Sequence, residues 1–219
     1  MSHSFSLSEE FFLLAHDDTN GKPLISTDAL GLGLAAALLA QLLPEERIAI
    51  SREGGVLLRR FEATGRAATD EVVKKINDAH ANRPGALYPV ADWLRYLRDM
   101  AYTEVADALL RGRVLYERGG LRGKRYVAPN VLDAASSRTG LVYLCRNPPA
   151  RPDDSHEQPF TLAGLAIATN MERVLYSIIG VDLGGQLRAF TRWLPRDTRT
   201  LLAALEQAVQ ARVQVPRGR

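Results

Sequence analysis

The side chains that could do chemistry in this sequence are basic. Arg95 and Arg98 stand three residues apart in "WLRYLRD", the spacing that sets two side chains on one face of a helix. Lys22 follows an Asn20-Gly21 turn, and Arg118, Arg122, Lys124 and Arg125 crowd into "ERGGLRGKRYV". Guanidinium groups suit two-pronged contact with phosphate or carboxylate, so the chemistry these residues point to is the holding of an anion. The plainer account of the same residues is a solvated helix face and a solubilising turn. Arginine supplies 24 of the 28 basic side chains and the formal net charge is only +3. An arginine-rich surface of that kind also follows from GC-rich coding, and net charge bears on partners rather than on fold.

Bond-making chemistry finds no constellation. Asp17-Asp18 precedes the Asn-Gly turn without a surrounding motif and reads as a cap or turn-shaping pair. His3, His16, His80 and His156 show no metal-ligand spacing with one another or with Cys145, so no metal and no cofactor is expected. A lone cysteine forms no intrachain disulfide and reads as a small buried hydrophobe in a reducing compartment. "MSHSFSLSEE" lacks the basic-then-apolar plan of a signal peptide. Catalysis is therefore not expected, and a cytoplasmic location is.

These residues need elements to hold them. The segment "STDALGLGLAAALLAQLLPEER", residues 26–47, is too short to span a bilayer before Gln41 and Pro44-Glu45-Glu46-Arg47 interrupt it. Its Gly31-x-Gly33-x-x-Ala36 follows the turn-rich "DDTNGKPLIST", whereas a dinucleotide-binding loop needs a buried strand there. What remains is a helix, capped near Ser26, Thr27 or Asp28 and stopped by Pro44. With apolar side chains on every face it belongs at the centre of the protein, its glycines and alanines allowing close approach.

Around it, Ser6-x-x-Glu9 reads as a capping box opening "LSEEFFLLAH". "RIAISREGGVLLRRF" and "VLYERGGLRGKRYVAP" are hairpin candidates. "TDEVVKKINDAHAN", residues 69–82, has the spacing of one helical face. Residues 89–113 change apolar face midway and read as two helices with a break near Ala101. "NVLDAASSRTGLVYLCR" reads as a helix, the Pro-rich stretch at about 147–159 as an exposed loop, "FTLAGLAIATNMERVLYSIIG" as one long helix, and a last amphipathic helix begins at Asp197 or Thr198. The sum is a mainly α, single-domain helical bundle over residues 1–219, built around a buried central helix, with two small β-hairpins.

The order of these parts, "LSEEFFLLAHDDTNGKPL", "DALGLGLAAALLAQLL", a hairpin, "WLRYL" and "VADALLRGRVLYERGGLRGKRYV", resembles the Golgi phosphoprotein 3 family over about residues 5–180. The resemblance implies a bacterial member with an α-helical domain, no enzymatic activity and peripheral attachment to membranes. Eukaryotic members recognise phosphatidylinositol 4-phosphate through a Trp after the Gly turn, an Arg inside the following helix and two basic residues three apart on a later helix. They also bind the cytosolic tails of glycosyltransferases and self-associate through the hairpin. In this chain the Trp position falls on Ser26 and the helix Arg on Ala35, while the two basic positions fall on Asp99 and Tyr102. A shift of one helical turn brings Arg95 and Arg98 into that place, so the eukaryotic headgroup residues are not reproduced.

The expected function is a non-enzymatic peripheral membrane adaptor that binds an anionic lipid headgroup or a partner protein at the inner face of the membrane. Lys22, Arg95 and Arg98 are the candidate headgroup residues. Leu121, Arg122, Lys124, Arg125, Tyr126 and Val127 are the candidate contacts for self-association or for the membrane, within a 115–128 hairpin through which the chain would form a homo-oligomer. The alternative is a winged-helix-like nucleic-acid-binding protein, since two helices followed by a basic hairpin imitate that motif. Nucleic acid is the less favoured partner because Glu104 and Asp107 stand where a recognition helix needs basic or amide side chains.

Overall fold

The first helix forms where the sequence supplies its own cap. The backbone N–H and the hydroxyl of Ser6 both donate to Glu9 Oε2 at 2.8 Å, opening α1 (Leu7–Leu14). Two turns are marginal alone, and α1 holds because Phe11, Phe12, Leu13 and Leu14 are all buried. The structure, a computed structural model, describes residues 5–119, 125–128, 131–180 and 182–213.

α2 (Thr27–Leu42) starts at Ser26, whose Oγ accepts from the Ala29 N–H at 3.2 Å, and ends two residues before Pro44. Every residue from Ala29 to Ala40 is buried, and α1 and the helices at Ala67–Asn82, Val90–Arg111, Glu157–Ala168 and Arg196–Val213 all pack against it. The expectation of a sheltered central helix holds. Its glycines are points of contact: a Cβ at Gly33 would fall 2.5 Å from Phe11 Cζ, and one at Gly31 would fall 2.6 Å from Arg98 Cγ and 3.0 Å from the Arg98 carbonyl oxygen.

The first hairpin pairs β1 (Ile48–Ile50) with β2 (Val56–Leu58), Ile50 opposite Val56. Asp197 at the start of α9 (Arg196–Val213) accepts from the Ile50 N–H at 2.8 Å and ties this hairpin to the last helix. α3 (Ala67–Asn82) begins two residues before Thr69, with the Thr64 N–H and hydroxyl both donating to Asp70 Oδ1.

Three expectations are corrected. Residues 90–111 form one uninterrupted helix, α4 (Val90–Arg111), rather than two. It packs against α1, α2, α3 and α9, so its buried stripe follows several neighbours and changes face without a break. Conversely, residues 157–179 are two helices, α6 (Glu157–Ala168) and α7 (Met171–Ile179), divided at Asn170, which adopts a left-handed φ of 58°. The Pro-rich loop is shorter than expected. Asp153 caps a 3₁₀ turn at Asp154–His156 by accepting from the Ser155 N–H, and α6 follows at once. The second hairpin pairs β3 (Tyr116–Arg118) with β4 (Arg125–Val127) and leads into α5 (Val131–Arg146). A short α8 (Gly184–Phe190), not anticipated from the sequence, packs on α6. One continuous apolar core draws on all nine α-helices among the described residues.

Candidate functional site

The turn that carries Lys22 is held from inside. Asp17 Oδ1 accepts from the N–H and hydroxyl of Thr19 at 2.9 and 2.6 Å and from the Asn20 N–H at 3.0 Å. These bonds, the Thr19 hydroxyl first, pull the Asp17 carboxyl below its ordinary range. The Lys22 backbone donates to Asn20 Oδ1 and accepts from the Asp17 N–H, each at 2.9 Å. Gly21 has φ +63°, and a Cβ there would collide with the Tyr126 carbonyl oxygen, so only glycine lets the turn sit against β4. With its backbone fixed in this way, Lys22 is left exposed, in no ion pair among the described residues.

Beneath the turn lies a pair that the sequence did not disclose. Arg138 of α5 grips Asp18 with Nη1 on Oδ2 at 2.6 Å and Nη2 on Oδ1 at 3.3 Å, the two side chains 13% and 15% exposed. Such a two-pronged pair fixes α5 to the turn. His16 sits alongside. Its Nδ1 lies 2.7 Å from the Phe12 carbonyl oxygen and its ring stacks on Phe12 at 4.1 Å. Burial drives its pKa down to about 4, so the ring is neutral and Nδ1 is the donor to that carbonyl.

The two arginines of α4 are placed unequally. Arg98, 23% exposed, lies against Gly31 and reaches the first turn of α2, where Nη1 meets Asp28 Oδ1 at 2.9 Å while Nε meets Asp99 Oδ1 at 3.0 Å. The hydrogen bond to Asp99 is the largest cause of the raised Arg98 pKa. Arg95 is exposed and bonded to Asp92 at 2.5 Å. Three aspartates therefore face the two arginines. Of the positions where the resemblance implies a Trp and an Arg, Ser26 is the exposed N-cap of α2 and Ala35 is fully buried.

The hairpin residues divide. Leu121, Arg122 and Lys124 lie outside the described residues, and Arg125 is placed only by its backbone, opposite Arg118. Val127 is 5% exposed, and Tyr126 is half-buried with its ring 6.1 Å from Tyr102 and 6.2 Å from Phe12. Tyr126 thus makes ring contacts within the chain and Val127 is buried. In the segment read as two helices ahead of the hairpin, α4 is continuous and buries Val105, Ala106 and Leu109 in the core.

Among the described residues no three His, Cys, Asp or Glu side chains converge as a metal site, and no helix is long and apolar enough to cross a membrane. Cys145 is buried, and that burial pushes its thiol up to about 11, the environment of an inert thiol. A family model described as Golgi phosphoprotein 3 matches residues 7–212. No curated protein matches the chain.

Proposed function

The chain belongs to the Golgi phosphoprotein 3 family, and from that premise we propose that it is a non-enzymatic peripheral adaptor that meets an anionic lipid headgroup through Lys22, Arg95 and Arg98, working at the cytoplasmic face of a membrane. The observation that supports this reading is the delivery of the Arg98 guanidinium to the first turn of α2. A helix N-terminus favours negative charge, and the negative charge that Arg98 meets there is the Asp28 carboxylate. In this reading Asp28 holds the place of a headgroup phosphate, which displaces it from Arg98 while Lys22 and Arg95 close on the remaining oxygens.

Vesicle sedimentation at low salt tests the reading. Vesicles of phosphatidylcholine with added phosphatidylglycerol retain more protein than phosphatidylcholine alone. Lys22→Ala and Arg95→Ala each weaken that difference about fivefold, the equivalent of about 1 kcal/mol per basic group near an anionic leaflet. Asp28→Asn strengthens it by releasing Arg98. Equal retention on both vesicle types, or an Asp28→Asn variant that binds acidic vesicles more weakly, ends the proposal.

A further inference from the structure

Between α3 and α4 lies a groove of about 470 Å³, inside the range of roughly 300–1,000 Å³ usual for small-molecule sites. Tyr88, Trp93 and Tyr96 form one wall, with Lys75, Asp78 and Arg83 of the α3 side facing them. Trp93 is set nearly perpendicular to both tyrosines, with ring centroids 6.1 Å apart at 84° for Tyr88 and 5.8 Å at 76° for Tyr96. Trp93 is 4% exposed, and its indole N–H is buried with no acceptor among the described residues. Tyr96, by contrast, is 63% exposed, an aromatic face with nothing covering most of it.

The charges decide what such a groove takes. The electron-rich faces of aromatic rings attract cations within about 6 Å. The chain demonstrates this itself, since Lys75 Nζ stands 5.7 Å from the Tyr96 centroid while also 3.3 Å from Glu71 Oε1. Glu71 is the counter-ion of Lys75 and also lies 3.9 Å from Lys74. Of the two carboxylates in the lining, Asp92 is taken by Arg95, whereas Asp78 makes no ion pair among the described residues. Asp78 lies three residues beyond Lys75, on the same helix face. The groove thus has ring faces set at right angles, one resident ammonium group and one open carboxylate, with the Arg83 guanidinium as a second cation in the lining.

We propose that this groove binds an organic ammonium group of the choline type. The N-alkyl groups lie among the rings of Tyr88, Trp93 and Tyr96, the positive charge is balanced by Asp78, and Arg83 at the rim takes a phosphate where the ligand carries one. The proposal draws on neither Lys22 nor Arg98 and stands apart from the anionic-headgroup reading.

Tryptophan fluorescence tests it in a Trp193→Phe background, which leaves Trp93 as the sole reporter. Choline quenches the signal saturably in the millimolar range or below, and its uncharged isostere 3,3-dimethylbutan-1-ol and inorganic phosphate do not. Asp78→Asn weakens choline binding about fivefold. Lys75→Met strengthens it about threefold by removing the competing ammonium from Tyr96. An anion site would give the opposite sign for both variants. That outcome, equal binding of the isostere, saturation by phosphate alone, or no saturable binding of choline overturns the proposal. Competition between soluble phosphocholine and phosphatidylcholine vesicles then distinguishes a free metabolite from a lipid headgroup, and capture of either supports the ammonium chemistry.

Discussion

His16 is the residue whose chemistry most directly couples to stability. Its pKa is held at about 4 by burial, against an ordinary value of 6.5. The unfolded chain therefore gains a proton near pH 6.5 that the native state refuses until about pH 4. Stability from this residue is complete above pH 6.5, falls as the pH drops toward 4 and is flat below that; the size of the loss is on the order of 3 kcal/mol. Glu10 and Glu157 work in the opposite direction, because burial raises their pKa and their native forms lose ground as the pH rises through the carboxylate range. Total stability against pH mixes these slopes, so the informative quantity is the difference between the wild type and His16→Phe. That difference should change steadily between pH 6.5 and 4 and be constant above 7 in urea denaturation. A variant whose curve runs parallel to the wild type across the whole range would mean that His16 takes up its proton at the same pH in the native and unfolded states.

At the scale of elements, α2 was legible because its composition leaves no alternative. A helix apolar on every face has nowhere to go but the interior, and Gly31 and Gly33 mark where α4 and α1 approach it. Two magnitudes compete when such a glycine becomes alanine. Helix propensity favours alanine by up to about 1 kcal/mol, while overpacking costs about 1–3 kcal/mol. At Gly33 the new Cβ meets the ring of Phe11, which is fully buried and cannot swing away, so Gly33→Ala destabilises by about 1–2 kcal/mol net. Gly140 of α5 has open space at the same distance, and Gly140→Ala stabilises by up to about 1 kcal/mol. Denaturation midpoints that move the same way for both variants would contradict the close seating of α1 on α2. The elements misread in the sequence failed for physical reasons. Asn170 breaks a helix with one left-handed residue, and neither a glycine nor a proline announces it. Near Ala101 the apolar stripe changes face because α4 has several neighbours, a fact of packing that local periodicity does not encode. The candidate site was half legible in the same sense. The Arg95-x-x-Arg98 spacing is local, but the partners that set its charge include Asp28, 70 residues away, and the anchor of the Lys22 turn is Arg138, 120 residues from Asp18.

For the whole molecule the issue is how a chain of formal charge +3 would stay on a membrane without a spanning helix among its described residues. Arg95 and Arg98 face Asp28, Asp92 and Asp99 and only Lys22 of the three candidates is in no ion pair among the described residues, so the candidate surface is close to neutral until a ligand displaces the carboxylates. Attraction from a distance is then weak, and attachment rests on few unpaired cations, each contributing on the order of 1 kcal/mol near an acidic leaflet. Such contacts are screened over about 10 Å at 0.1 M salt and about 3 Å at 1 M. Retention on acidic vesicles should therefore fall steeply with rising salt, and a high-salt wash should release protein already bound. A sedimentation series in sodium chloride measures this directly. Retention that survives 1 M salt would show that apolar insertion rather than charge holds the protein. The exposed Trp193, Tyr176 and Ile178 would then be the residues to replace with serine, because the basic site would no longer account for the attachment.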